Sequence, residues 1–399
     1  MTFNAELFRS HFPALSNNAI YLDSAATALK PKAVADAINQ YYLCDTSTTL
    51  RSQHRSALSN TSKIEQVRTN TAKLINASSA EQIIWTRGAT ESLNLIAYSY
   101  GLNRLNKDSE IIVSELEHHS NLIPWLHIAK LTGAKVIKWS ITPNGQLDIK
   151  QLEQLINADT KIVAVTQMSN VSGYQPDLEK ITKLAHQYNA KVVVDGAQGI
   201  VHKPIDVQIL DIDFYTFSCH KLYGPTGLGV LYAKKELLEE MDIWHGGGKM
   251  IQTVSFEHFE PAPIPQKFEA GTPHIAGIIG FGQSLEFLAQ YPHAITEKYT
   301  ANLANYLHNK LSDIADCKTY SEQQSPVVSF TIGDLHPYDI ATLLAEQNIA
   351  VRNGELCASP LIKALGIKGV IRASLMPYNN QADIDKFIIA LQNAVEILR

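Results

Sequence analysis

The feature that most constrains the fold of this chain is a regular alternation of short apolar runs with amphipathic segments between about residues 80 and 235. Short buried strands that alternate with helices predict a mostly parallel sheet covered on both faces. In such a sheet, ligands bind beyond the carboxyl ends of the strands. The predicted strands comprise residues 82–85, 110–113, 135–139, 161–166, 191–194, 214–217 and 229–232, and residues 121–131 and 177–188 are among the predicted helices.

A second pattern follows this region and predicts a smaller α+β unit. A long helical stretch over residues 276–314 precedes strands at residues 327–332, 350–352 and 370–373, with helices from His336, near Leu361 and from Gln381. Because 399 residues exceed the size of one average domain, two domains are expected. We predict a large domain over residues 20–275 and a small domain formed by residues 1–19 plus 276–399.

Composition narrows the functional classes. The net charge is −5, from 34 Lys and Arg against 39 Asp and Glu, which gives no support for binding to nucleic acid or to an anionic membrane. The four cysteines, Cys44, Cys219, Cys317 and Cys357, form neither a CxxC pair nor a metal-ligand cluster. The N-terminus lacks the layout of a signal peptide, and no apolar run is long enough to span a bilayer. These observations favour a cytoplasmic protein without a metal site.

Lys221 is the first candidate catalytic residue. It closes the motif SCHK at residues 218–221, which follows the predicted strand 214–217 and precedes a glycine-rich turn. A lysine that is pre-positioned and partly desolvated at a strand end can act as a nucleophile and form a Schiff base. An ordinary surface lysine at a turn is the alternative interpretation.

Asp195 directly follows the predicted strand 191–194, and Gln198 lies just beyond it. A carboxylate at the end of a buried strand costs stability unless it is paired. The protonated pyridine nitrogen of pyridoxal phosphate is such a partner, and Gln198 could reach the phenolate oxygen of the same ring. A helix cap is the alternative role for Asp195.

Three further signals fit a cofactor of this kind. The motif GATE at residues 88–91 opens a helix, where backbone N–H groups and the Thr90 hydroxyl can bind phosphate; a plain N-cap is the alternative. In EHH at residues 117–119, two adjacent histidines rarely face one metal ion, and one ring stacking on an aromatic cofactor is the alternative. Asn170 follows another predicted strand, where polar side chains point into the ligand crevice. Together with Lys221 and Asp195, these signals indicate a pyridoxal-phosphate site.

Over nearly its whole length the chain resembles the class V, fold-type I pyridoxal-phosphate enzymes, and specifically the cysteine desulfurases of the group that contains SufS and the cysteine sulfinate desulfinases. The resemblance implies an α/β fold. A large domain with a mostly parallel seven-stranded sheet binds the cofactor, and a smaller α+β domain carries the catalytic cysteine loop. The motifs that carry the resemblance are YLDSAATALKP, TRGATESLN, EHHSNLIPW, QMSNVSG, VDGAQG, DFYTFSCHKLYGPTGLGVLY, GGGKM, FEAGTP, GELCASPL and IRASLMPYN.

This resemblance implies a homodimeric enzyme that converts L-cysteine to L-alanine. Lys221 and His118 would be catalytic, and Cys357 would accept the sulfur as a persulfide. Sulfur would then pass to a small acceptor protein of the SufE type, for iron–sulfur cluster biosynthesis. Arg372, supported by Asn170, would clamp the substrate carboxylate, since guanidinium geometry favours a bidentate contact. The implied cofactor-binding residues are Lys221, Ala89, Thr90, His118, Asn170, Asp195, Gln198, Ser218, His220 and, for the phosphate bound by the other subunit, Thr272.

The chain departs from the family pattern at several places. Leu50 lies where the family commonly has a VHR stretch, Ala89 removes a hydroxyl from the phosphate side, and Cys219 replaces a common glycine. Glu355 and Leu356 precede the catalytic cysteine, where a histidine is common. We expect Glu355 to affect the thiol or the docking of a partner, and thus the rate rather than the type of reaction.

Two other functions stay open at this point. A selenocysteine lyase or cysteine sulfinate desulfinase would use the same cofactor without a cysteine nucleophile. A non-catalytic sulfur-relay scaffold would bind pyridoxal phosphate only, but the intact Lys221, Asp195 and Arg372 count against it. Cys357 as a buried core thiol is the remaining structural alternative, and its polar neighbours argue against it.

Overall fold

The structure is a computed structural model that describes residues 3–17, 19–49 and 53–399, so the departure at Leu50 lies outside the described residues. The described strands are β1 (Ile20–Tyr21), β2 (Ile83–Thr86), β3 (Glu110–Ser114), β4 (Lys135–Trp139), β5 (Thr160–Thr166), β6 (Lys191–Asp195), β7 (Phe214–Ser218), β8 (Gly229–Ala233), β9 (Ile251–Val254), β10 (Phe259–Pro261), β11 (Cys317–Thr319), β12 (Val327–Ile332), β13 (Ile349–Ala350), β14 (Arg352–Gly354) and β15 (Val370–Ser374). The described α-helices are α1 (Ala5–Ser10), α2 (Lys32–Cys44), α3 (Arg55–Leu74), α4 (Ala89–Leu95), α5 (Ile123–Thr132), α6 (Ile149–Leu155), α7 (Leu178–Gln187), α8 (Gly199–His202), α9 (Lys235–Glu240), α10 (Ile275–Ala289), α11 (His293–Ser312), α12 (Pro337–Glu346), α13 (Ser359–Ala364) and α14 (Gln381–Leu398). None of these described helices is both long enough and apolar enough to cross a membrane.

The central sheet confirms the strand prediction. Its strand order is β2-β8-β7-β6-β5-β3-β4, and each of the seven predicted strands is present with its ends displaced by no more than one residue. Neighbouring strands from β7 to β4 run parallel. Only β8 runs antiparallel to its neighbours β2 and β7. The sheet is therefore mainly parallel, as predicted.

Helices cover both faces of this sheet because its strands are apolar on both sides. In β5, Ile162 and Ala164 face one core, whereas Val163 and Val165 face the other. Helix α5 packs on the first of these cores, and α3, α7 and α10 pack on the second. The side chains within the strands therefore pack against the helices, and polar side chains that could bind a ligand lie at the strand ends.

A second sheet has the order β11-β12-β15-β14, is antiparallel throughout, and packs on α11, α12 and α14. Two predicted strands, at residues 327–332 and 370–373, are β12 and β15, and the third is divided between β13 and β14. The long predicted helix consists of two helices, α10 and α11, with Pro292 at the start of the second. The sequence analysis missed the short strands β1 and β11 and the antiparallel hairpin of β9 and β10.

The predicted division into residues 20–275 and residues 1–19 plus 276–399 stays a prediction, but two segments pack differently from it. Strand β1 pairs in parallel with β13, and Ile20 and Leu22 lie in the core of the second sheet. Helix α10 packs against α2 and α3, and its Phe281 lies in a core of the central sheet. Both segments are apolar, and their sequence does not indicate which of the two cores they join.

Candidate active site

The carboxyl ends of the parallel strands open onto a cavity of about 340 Å³. Residues from both sheets line it, which brings together eleven of the twelve predicted site residues. The exception is Thr272, which is exposed in the loop before α10. The predicted residues that line the cavity are Ala89, Thr90, His118, Asn170, Asp195, Gln198, Ser218, His220, Lys221, Cys357 and Arg372.

Lys221 ends a short 3-10 helix that begins where β7 ends. The pKa of its amine falls to about 8, chiefly because burial disfavours the charged form. The charge of Asp195 opposes this shift, Arg372 reinforces it, and Cys357 opposes it more weakly. Near neutral pH a useful fraction of the amine is therefore uncharged and nucleophilic.

Asp195 ends β6, and its Oδ1 accepts the backbone N–H of Ala197 at 2.9 Å. Burial raises the pKa of this carboxyl, while the Ala197 N–H and the charge of Lys221 counteract the shift. Gly196 lets the backbone after β6 approach the ring of Tyr215, because a Cβ there would lie 2.1 Å from Cζ of Tyr215. A buried carboxyl of this kind gains from a cationic partner in the cavity, such as a protonated ring nitrogen.

The N-terminus of α4 contributes one wall of the cavity. The Ala89 N–H donates to Ser218 Oγ at 2.8 Å, and the hydroxyls of Thr90 and Ser120 are hydrogen-bonded at 2.7 Å. Nearby, His220 Nδ1 is buried without a hydrogen-bond partner in the part of the chain that the structure describes. Hydroxyls and backbone amides at a helix N-terminus together suit a phosphate group.

His118 is the member of the histidine pair that lines the cavity. Its Nδ1 accepts the backbone N–H of Ser120 at 3.1 Å. Burial lowers the pKa of the ring to about 4, and the positive charges of Lys221 and Arg372 act in the same direction. The ring is therefore neutral at physiological pH and carries its proton on Nε2, which suits stacking against an aromatic cofactor.

Arg372 on β15 is buried and incompletely paired. Its Nη1 donates to the Asn170 carbonyl at 3.0 Å and its Nη2 to Asp23 Oδ1 at 3.3 Å, whereas Nε has no partner among the described residues. Burial lowers the pKa of the guanidinium to about 10, and Asp23 opposes the shift. Arg352 shares Asp23, with Nη2 2.7 Å from Oδ2. A carboxylate ligand would complete the contacts of Arg372 and offset the cost of its burial.

Cys357 lies between β14 and α13, where its exposed side chain lines the cavity; Cys219, by contrast, is buried. Leu356 and Cys357 both have left-handed backbone, with φ of 54° and 55°. Two hydrogen bonds hold their carbonyl groups. Asn170 Nδ2 donates to Leu356 O at 2.8 Å, and the His119 N–H donates to Cys357 O at 2.7 Å. Residues that follow strands of the central sheet therefore fix the segment that carries the thiol.

Sequence reasoning missed several residues of this site. Ser120, Arg352 and Ala25 line the cavity, and Asp23 pairs with both arginines. The Ala25 carbonyl accepts the amide of the predicted Gln198 at 2.7 Å. The position of Ser120, two residues after His118, is the sequence signal that could have indicated it. Asp23 follows a strand of two residues, which is too short for hydrophobic periodicity to reveal.

These groups fit pyridoxal phosphate. A lysine with a lowered pKa, a buried carboxyl, a neutral imidazole and a phosphate-binding wall surround one cavity at the carboxyl edge of a mainly parallel sheet. The buried guanidinium of Arg372, which lines the same cavity, suits an anionic ligand. The fold and the site thus define a pyridoxal-phosphate enzyme of fold-type I.

Comparison with known proteins agrees with this class. Residues 20–387 match the family described as aminotransferase class-V. The chain is 47% identical to cysteine desulfurase CsdA of Escherichia coli, over 99% of each chain, and 44% identical to a probable cysteine desulfurase of Vibrio cholerae, over 100% of each. Its structure matches that of CsdA in the S-sulfonic acid form with a TM-score of 0.95 and 47% identity. The apo structure of a cysteine desulfurase from Thermococcus onnurineus matches with a TM-score of 0.95 and 34% identity, and both matches cover 100% of each chain.

The chain belongs to the aminotransferase class-V family.

Proposed function

We propose that this chain is a cysteine desulfurase that converts L-cysteine to L-alanine and takes the sulfur onto Cys357 as a persulfide. The observation that carries the proposal is the position of Cys357, an exposed thiol that lines the same cavity as Lys221 and Arg372. A lyase that expels its product unaided needs no nucleophile at this place. Relatives named cysteine desulfurase or probable cysteine desulfurase at 47% and 44% identity support the same reaction.

The residues that line the cavity would share the work of holding the cofactor. Lys221 would carry pyridoxal phosphate, Asp195 would keep the ring nitrogen protonated, and His118 would stack on the ring. The remaining cofactor contacts would come from Ala89, Thr90, Asn170, Gln198, Ser218, His220 and, across a subunit interface, Thr272.

Bound pyridoxal phosphate supplies an electron sink for the charge that develops at the substrate Cα. Arg372 holds the substrate carboxylate near the thiol, because Asn170 links Arg372 to the residue before Cys357. Lys221, whose pKa is about 8, removes the Cα proton. The Cys357 thiolate then bonds to the substrate sulfur as the carbon–sulfur bond breaks. The electron pair left on Cβ takes up a proton, Lys221 returns a proton to Cα, and alanine leaves.

A homodimer and a small sulfur-acceptor protein of the SufE type complete the proposal. Thr272 is exposed and lies outside the residues that line its own cavity, which suits a contact to the phosphate of a second subunit. The exposed thiol of Cys357 suits delivery of sulfur to an acceptor for iron–sulfur cluster biosynthesis. A reducing cytoplasm would keep the free cysteines in the state that this chemistry requires.

The test is alanine release by Cys357→Ala from two substrates, cysteine and cysteine sulfinate. With cysteine a nucleophile must accept the sulfur, so this activity should be lost, whereas sulfinate departs more readily and much of that activity should remain. Cys44→Ala is the matched control, because Cys44 is an exposed cysteine at the end of α2, away from the cavity. Mass spectrometry of the wild type after cysteine treatment should find one extra sulfur on the Cys357 peptide. Absence of that sulfur, together with wild-type cysteine turnover by Cys357→Ala, would establish the lyase instead.

A further inference from the structure

His119, the second histidine of the EHH motif, has no role in the proposed reaction and lies outside the residues that line the cavity. Its ring contacts the segment that carries Cys357. Nε2 accepts the backbone N–H of Ser359 at 3.1 Å, and the Ser359 hydroxyl oxygen lies 3.1 Å from the same nitrogen. Because Nε2 accepts this N–H, the ring is neutral with its proton on Nδ1. His119 thereby binds the first residue of α13.

The backbone of His119 reinforces this contact, since its N–H donates to the Cys357 carbonyl at 2.7 Å. The segment needs such support, because Leu356 and Cys357 adopt left-handed conformations that side chains other than glycine disfavour. A strained backbone of this kind persists only where surrounding contacts hold it. His119 supplies two bonds to this segment, one to the Cys357 carbonyl and one to the Ser359 N–H.

Glu355, which precedes Cys357 in the same turn, makes a further contact with Ser359. Its carboxylate accepts the hydroxyl proton of Ser359, so residues 355 and 359 are joined across Cys357. This contact gives a role to Glu355, one of the two residues before Cys357 at which the chain departs from the family pattern. The three residues His119, Ser359 and Glu355 together form a cluster that we name the clasp.

We propose that the clasp holds Cys357 in the position from which it accepts sulfur, with His119 as its anchor in the loop that follows β3. His119 and Glu355 are thus positioning residues, and the inference rests on the proposed function of Cys357. An open clasp would let the thiol move away from the cavity. Outside reagents would then reach Cys357 faster, persulfide would form more slowly, and reactions that do not use Cys357 would proceed as before.

The test compares His119→Ala with His119→Gln in the holoenzyme, because the glutamine amide oxygen can replace Nε2 as an acceptor. Two rates are measured: alkylation of Cys357 by iodoacetamide, followed by mass spectrometry, and persulfide formation in a single turnover with cysteine. His119→Ala should alkylate about ten-fold faster and form persulfide about ten-fold more slowly, as expected for the loss of a hydrogen bond at a strained turn. His119→Gln should lie within about three-fold of wild type in both rates. Alanine release from cysteine sulfinate should be unchanged in both variants.

Glu355→Ala and Glu355→Gln give a second pair at an exposed residue, where folding is not at risk. Glu355→Ala should shift both rates in the same directions as His119→Ala, and Glu355→Gln, which keeps an acceptor oxygen, should shift them less. If His119→Ala does not fold, the two Glu355 variants alone test the proposed role of the clasp.

Alkylation and persulfide rates within two-fold of wild type in the alanine variants would overturn the clasp. An equal loss of sulfinate turnover would also overturn it, since the effect would then not be specific to Cys357. Failure of the desulfurase proposal is distinguishable, because it would appear as cysteine turnover by Cys357→Ala.

Discussion

Four basic side chains that line the cavity have their pKa values lowered. Burial is the main cause for each, and it brings the pKa of Lys221 to about 8, of His118 and His220 to about 4 and of Arg372 to about 10. Lys221 and Arg372 also lower the pKa of His118 through their charges. Because the charged forms are disfavoured, an anionic ligand that restores their stabilisation gains affinity. A phosphate and a substrate carboxylate are ligands of this kind, and the low dielectric around buried groups strengthens both contacts.

Lys221 provides a prediction about pH. The neutral amine is the form that reacts with the cofactor aldehyde, and it predominates only above the pKa. Uptake of pyridoxal phosphate by apoprotein should therefore accelerate with a midpoint near the pKa of about 8, rather than near the value of about 10.4 for an unperturbed lysine. Stopped-flow absorbance of the bound cofactor measures this rate, and Lys221→Ala, which should stay colourless, is the control. A midpoint above about 10 would show that the amine is not desolvated in the apoprotein.

At the scale of secondary-structure elements, the sequence predicts those features that depend on the local pattern of apolar and polar residues. Strands such as β5 and β6 are continuous apolar runs, so their ends, and with them the position of Asp195, follow from the sequence. The resemblance to known enzymes added Arg372 and Cys357, which no strand-end argument indicates. What escaped prediction depends on distant contacts. Asp23 follows a two-residue strand, and the role of His119 exists only because the loop after β3 meets the turn before α13.

The close approach of β8 to the start of α4 gives a prediction about Gly229. A Cβ at this position would lie 2.4 Å from Cα of Gly88, where backbone meets backbone and no flexible side chain can give way. Gly229→Ala should lower the free energy of unfolding by about 2 kcal/mol and weaken cofactor binding, because the wall that carries Ala89 and Thr90 is displaced. Urea denaturation and cofactor titration measure the two effects. Gly246→Ala is the matched control, since a Cβ there meets nothing within 4 Å, and equal effects of the two variants would contradict the prediction.

The whole molecule exposes apolar side chains around the hairpin of β9 and β10. Val254, Phe256 and Phe259 are 66%, 106% and 46% exposed, and the intervening loop places Phe256 at its tip. Apolar groups that project into solvent in this way are typical of surfaces that another protein covers. Thr272 is also exposed, although the resemblance gives it a phosphate contact. A second copy of the chain that covers this region would account for both observations.

The shared site of the proposed homodimer can be tested with two impaired variants, Thr272→Ala and Lys221→Ala. In a heterodimer, the Lys221 of one subunit would meet the intact Thr272 of the other, so that one of its two sites is complete. Random reassociation makes half of all dimers mixed, and activity should therefore recover to about a quarter of the wild-type value. The measurement is alanine release after the variants are mixed, mildly denatured and refolded together, with each variant treated alone as the control. If each site is built from one subunit, mixing will give only the average of the two separate variants, and Thr272 will have to act within its own chain or not at all.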